Sequence, residues 1–215
     1  RTSAGATTPV RLLYRAAAAG HAALVARLLS AGVPVEGWRH FSSGTLKGNE
    51  NTLTPLHAAC ANGRAASAHA LLSAGASVTS TARHGATPLL LAASSKGEGG
   101  SVSAASLVHM LLESGASLAS LDDSCQSALH AAARVGASAK VLNAIIEGHA
   151  HELAHSRIKT KKLLLKRMGP ILEWRDAWGR IPLHWASVNG HRGAVTALLA
   201  HGASQLLGVR DNAGE

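Results

Sequence analysis

The chain has 215 residues, with 21 Lys and Arg against 12 Asp and Glu, for a formal charge of +9. Alanine (43) and leucine (30) supply about a third of it, and aromatic residues only 3%. This is too apolar for a disordered polyelectrolyte, has no apolar run near the ~18 residues of a membrane span, and excludes a ring-packed core in favour of closely packed Ala/Leu helices.

Two cysteines, Cys60 and Cys125, cannot build a disulfide framework, so a reducing compartment, cytosol or nucleus, is the expectation. The chain opens on Arg1 without a signal-peptide pattern and reads as a fragment of a longer protein.

In chain order, the first helical phrase is Leu12-Leu13-Tyr14-Arg15-Ala16-Ala17, and the stretch after it closes at Gly32. Ten extra residues then fall near 37–48, a stretch that holds Trp38 and Phe41. Thr54-Pro55-Leu56-His57-Ala58-Ala59 follows, then Leu71-Leu72 and Gly75. Next come Thr87-Pro88-Leu89-Leu90-Leu91-Ala92-Ala93, a small polar stretch near 96–102, Leu111-Leu112 and Gly115. Ser127-Ala128-Leu129-His130-Ala131-Ala132-Ala133 leads to Ile145-Ile146 and Gly148. A long insertion near 151–171 precedes Ile181-Pro182-Leu183-His184-Trp185-Ala186, Leu198-Leu199 and Gly202. The tail Asp211-Asn212-Ala213-Gly214 repeats the form of Asp176-Ala177-Trp178-Gly179 and reads as the opening turn of a sixth copy.

The phrases keep register. Leucine to closing glycine is 19 residues in four copies of five, and glycine to the next leucine is 14 where nothing is inserted, for a period of 33. The residue types fit a helix–turn–helix unit. Thr54, Thr87 and Ser127 are N-caps, and Pro55, Pro88 and Pro182 occupy the first helical position. Ala-Ala pairs permit close helix approach. Gly63, Gly136 and Gly190 mark the bend, and Gly75, Gly115 and Gly202 end the second helix. The fifth copy has Ile181 in place of the hydroxyl cap, so its first helix is expected to start less firmly, by roughly 1 kcal/mol. One unit cannot bury its own apolar face, but stacked units can.

With this period and the T-P-L-H-x-A-A phrase, the chain resembles the ankyrin repeat family. The resemblance implies an all-α solenoid of stacked helix pairs with inter-repeat fingers, with approximate repeats at 10–42, 52–84, 85–124, 125–150 and 176–209. It implies a non-catalytic, monomeric protein–protein interaction module that requires no cofactor. Partner contacts are expected at Arg83, His84, Asp123, Gln126, Arg175 and Trp178 on the fingers, joined by Asn62, Arg134 and Asn189 on the first helices. His57, His130 and His184 occupy the family's T-P-L-H position, where the imidazole fixes one repeat to the next. A regulatory or targeting segment of a larger enzyme, or a dedicated assembly factor, stays open as an alternative.

The aromatics divide by location. Trp38, Phe41, Trp174 and Trp178 lie in turns as candidate binding anchors, Trp178 foremost, with Trp174 and Phe41 alternatively closing small clusters under long insertions, and Trp185 replaces a first-helix leucine and reads as core. The insertion is the largest departure from the period. Its cations Arg157, Lys159, Lys161, Lys162, Lys166 and Arg167 face only Glu152, so it holds +5 of the chain's +9. This gives a second expectation, salt-sensitive contact with nucleic acid or an anionic membrane. The insertion either extends the preceding helix or forms a short one of its own. It opens with His151-Glu152-Leu153-Ala154-His155, an H-E-x-x-H pattern that on a helix puts two imidazoles on one face beside a general base. The simpler reading is a solvated His-rich helix end. Cys60 reads as a small buried residue and Cys125 as an exposed turn residue without a neighbouring base.

Overall fold

The computed structural model describes residues 4–37, 53–95, 100–155 and 169–214. Among these residues ten α-helices are assigned: α1 (Ala4–Ala19), α2 (Ala22–Ser30), α3 (Pro55–Ala61), α4 (Ala65–Ser73), α5 (Pro88–Ala93), α6 (Gly100–Glu113), α7 (Ala128–Val135), α8 (Ala139–His155), α9 (Pro182–Val188) and α10 (Arg192–Ala200). They form five antiparallel pairs. The first helices α1, α3, α5, α7 and α9 stack in one row and the second helices α2, α4, α6, α8 and α10 in another. No strand is assigned among the described residues. No helix among them is long and apolar enough to cross a membrane.

The core follows from the repeated phrase. Leu13, Leu56, Leu89, Leu129 and Leu183 are all buried, as are Ala16, Ala59, Ala92, Ala132 and Ala186 one helical turn later. Burying each leucine stabilises the array by about 1.5–3 kcal/mol, and each alanine lets the next first helix approach. Cys60 belongs to this core, and burial raises its thiol pKa beyond any use as a nucleophile.

Thr54, Thr87 and Ser127 cap their helices, each side chain accepting from a backbone N–H three residues on. Ile181 cannot do so, yet α9 still begins at the proline. His184 Nδ1 accepts from Ile181 N at 3.2 Å, and the buried Ile181 side chain packs in the core. The hydroxyl is absent, but the same boundary is held by the histidine and by apolar burial. At the amino end, α1 starts at Ala4, six residues before the boundary expected at 10.

The fourth pair departs from the others. Gly148 does not end its helix: α8 continues to His155, so the insertion begins as a helix extension. A Cβ at Gly148 would lie 2.6 Å from Leu112 Cδ1, so the glycine serves the close approach of α8 to α6. Beyond it, Glu152 Oε1 accepts from Ser117 Oγ at 3.1 Å and Oε2 from Leu118 N at 3.2 Å. His149 is buried against Trp174, with ring centroids 5.2 Å apart. Trp174 donates Nε1–H to Gly169 O at 3.0 Å and so closes a small cluster with His149. Its burial removes it as a surface anchor.

Candidate protein-binding surface

Among the described residues the chain makes tight fingers at 82–86, 122–126 and 176–180, between pairs, and at 211–214, after the last pair. The closing bond recurs: Ala82 N donates to Ala86 O, Asp122 N to Gln126 O and Asp176 N to Arg180 O, at 2.8–3.1 Å. In three fingers a carboxylate at the first position holds the turn. Asp122 Oδ1 accepts from Ser124 N and Gln126 N, both at 2.8 Å. Asp176 Oδ1 accepts from Trp178 N at 3.0 Å and Arg180 N at 2.9 Å. Asp211 Oδ1 accepts from Ala213 N at 2.9 Å. Such bonds between a carboxylate and backbone N–H are among the stronger neutral-to-ion contacts. The first finger has Ala82 instead, and without the carboxylate it bends differently, with His84 itself left-handed at φ 60°.

The fingers are laced to one another. His84 O accepts from Asp123 N, Ser124 O from Ala177 N and Trp178 O from Asn212 N, each at 3.0 Å. From beneath, the first helices hold them through histidine. His57 Nδ1 accepts from Thr54 N, so its Nε2 carries the hydrogen and donates to Ser80 O at 3.1 Å and Ala86 O at 3.2 Å. His130 repeats this, with Nδ1 accepting from Ser127 N at 3.2 Å and Nε2 donating to Arg180 O at 3.0 Å. Burial lowers the His130 pKa, against the opposing pull of the Arg180 carbonyl and of Asp176, so the neutral tautomer that this pairing requires is the stable one.

The third finger carries an aromatic cluster. Trp178 is 49% exposed and meets Trp185 edge to face at 6.1 Å. Trp185 donates Nε1–H to Asp176 Oδ2 at 2.7 Å and lies 5.2 Å beneath the Arg180 guanidinium. It is therefore half-buried and positions the finger, in addition to packing against the core. Arg180 also pairs with Asp211 at 2.9 Å, which joins the third finger to the fourth.

The residues expected to meet a partner separate on this geometry. Arg83, His84, Asp123, Arg175 and Trp178 are exposed on the fingers, and Asn62, Arg134 and Asn189 are exposed at the ends of their first helices. Asn62 and Asn189 donate side-chain N–H to Ala58 O and Trp185 O, both at 2.8 Å, so their amides are partly engaged in closing the helices. Arg175 Nη1 donates to Gly179 O at 2.8 Å and Arg210 O at 2.9 Å, which makes it a strut between fingers as well as a surface cation. Gln126 is a correction. It is only 6% exposed, with its amide turned towards Asp176, because the next finger covers the last position of its own. Arg180 and Arg210 also lie at the fingers, Arg180 half-buried and Arg210 exposed, and the sequence reading did not single them out. Their signal is position: Arg180 is the last residue of the finger that Asp176 opens, and Arg210 immediately precedes Asp211. The cations from Arg157 to Arg167, like Trp38 and Phe41, lie outside the described residues.

Each carboxylate oxygen of Glu152 accepts one bond from the 117–118 turn, so the glutamate of the H-E-x-x-H pattern ties α8 to that turn.

A profile of ankyrin repeats (three copies) matches residues 13–117 and 101–207. Together the two matches span most of the chain, and the chain belongs to the ankyrin repeat family. A search of curated proteins returns no match.

Proposed function

We propose that the chain is a non-catalytic docking scaffold that holds a partner protein along its finger ridge and the adjoining ends of the first helices. Ankyrin repeats are in general protein–protein interaction modules. The observation that carries the reading is the half-exposed Trp178, set on a finger fixed by two inter-finger backbone bonds, an internal carboxylate and the Trp185 ring. A rigid, solvent-facing indole loses little conformational freedom on binding, which is what a hot-spot anchor needs.

The test is the double variant Arg175→Ala/Trp178→Ala in quantitative affinity purification. It should lose its partners while its circular dichroism stays that of the parent chain. A fully folded double variant with undiminished partner recovery overturns the reading. A second contact, with an anionic surface through Arg157, Lys159, Lys161, Lys162, Lys166 and Arg167, rests on the +5 of that insertion alone. It predicts salt-sensitive binding that disappears when residues 156–168 are deleted.

A further inference from the structure

The finger ridge has one-sided electrostatics that its sequence conceals. Counted along the chain, the fingers look balanced, with Asp122, Asp123, Asp176 and Asp211 against Arg83, Arg175, Arg180 and Arg210. In the fold three of the four aspartates turn inward onto finger amides, and Asp176 and Asp211 are 5% and 8% exposed. Asp211 also takes the Arg180 guanidinium. Of these four aspartates only Asp123 has an exposed side chain, and it stands 4.0 Å from the His84 ring. Arg83, Arg175 and Arg210 are exposed on or beside the laced fingers, with Arg175 Nη1 donating to Gly179 O and Arg210 O and Arg210 Nη1 to Gly214 O at 3.3 Å.

We propose that this ridge takes an acidic peptide segment in extended conformation. Its carboxylates pair with Arg83, Arg175 and Arg210, and one bulky apolar side chain rests on Trp178. The proposal rests on the finger ridge being the partner surface, as argued above, and adds the chemistry of the partner. Arginine suits this task because guanidinium pairs with carboxylate through two parallel N–H donors. Inter-finger bonds set the fingers in a row, so a chain laid along them meets the cations in sequence.

The probe is a blocked peptide of about twelve residues, roughly 40 Å when extended, with glutamate at alternate positions and one central phenylalanine. Binding is read from tryptophan fluorescence of the whole chain, beside a glutamine-for-glutamate control peptide and oligo-dT of similar length. The glutamate peptide should bind at least about tenfold tighter than the glutamine one, and should weaken about tenfold between low salt and about 0.3 M. Arg83→Gln/Arg210→Gln should abolish the preference, and Trp178→Ala should weaken both peptides. A further variant, with the six cations from Arg157 to Arg167 changed to glutamine, should bind as the parent does.

Equal binding of the two peptides, both sensitive to Trp178→Ala, overturns the acidic partner but keeps the ridge as a docking surface. Binding insensitive to every ridge variant overturns both. Loss of binding only in the insertion variant, or tighter ridge binding of oligo-dT, also overturns the proposal.

Discussion

The imidazole of His191 lies over Gly136, so that a Cβ at position 136 would come within 2.5 Å of His191 Nδ1. The ring is held there by its Nε2, 3.0 Å from the carbonyl of Arg134. The same relation recurs at the amino end, where Arg64 Nε donates to Ala18 O at 3.4 Å and the Arg64 side chain covers Gly20. In both places the residue that opens a second helix reaches back to the bend of the preceding pair. The second row of helices thus has its own ties, distinct from the histidines under the fingers.

Gly136 therefore answers to two constraints, its φ of +70° and the ring above it. Gly136→Ala should destabilise the array by about 2–3 kcal/mol, the left-handed strain plus loss of a hydrogen bond. Gly190 occupies the equivalent bend at φ +68° with nothing within 4 Å, so Gly190→Ala should show only the strain, about 1 kcal/mol. Urea unfolding midpoints check the difference, and Gly136→Ala in a His191→Ala background should fall to the Gly190→Ala value.

Cys125 is left-handed at φ 57°, at the position where the neighbouring fingers carry Gly85 and Gly179. Cys125→Gly should stabilise the chain by about 0.5–1 kcal/mol, the relief of Cβ strain less the extra freedom of glycine when unfolded. Ser124→Gly, one residue earlier and without positive φ, should destabilise it. Thermal midpoints of the two variants should move in opposite directions.

Acid should weaken the fold in a defined window. Burial lowers the His130 and His149 pKa values in the folded state, whereas the unfolded chain titrates near about 6.5. Below that value the unfolded state binds more protons, so their contribution is complete above about pH 6.5 and is lost as the pH falls towards the folded values. Among the described residues neither ring nitrogen of buried His149 has a hydrogen-bond partner. His149→Phe should therefore raise stability at neutral pH by about 1 kcal/mol and flatten the slope of stability against pH below 6.5. An unchanged slope would count against the assignment.

Glu152→Ala should destabilise the array by about 1–2 kcal/mol, because Leu118 N and Ser117 Oγ lose their acceptor. Zinc or a chelator should leave the melting temperature of the parent chain unmoved. A zinc-dependent rise, absent in His151→Ala/His155→Ala, would restore the metal reading of H-E-x-x-H.

The helix starts were legible because caps are local: Thr54, Thr87 and Ser127 each act within three residues of themselves. The buried leucines were legible from period alone. What escaped depends on a neighbour distant in the chain. Gln126 looks like a surface polar residue until the finger at 176–180 covers it. Gly148 carries the spacing of a helix end, but the need set by Leu112 across the gap is for a missing Cβ, which a helix interior also accommodates. Trp174 and Trp178 sit four residues apart in one turn, and only the His149 face under the first tells the buried ring from the exposed one. The ridge charge was hidden for the same reason, since an aspartate that caps its own turn is indistinguishable in sequence from one that faces solvent.

The His130 bond to Arg180 spans 50 residues, whereas the matching bond from His57 to Ala86 spans 29. The longer excursion leaves the two contacts alike, at 3.0 and 3.2 Å. Closing the larger loop adds only about 0.5 kcal/mol of chain entropy, since the penalty grows with the logarithm of length. The junction between the fourth and fifth helix pairs is thus a natural splice point. Foreign sequence, even a folded reporter whose ends lie close together, can be seated there while the array on either side keeps its register.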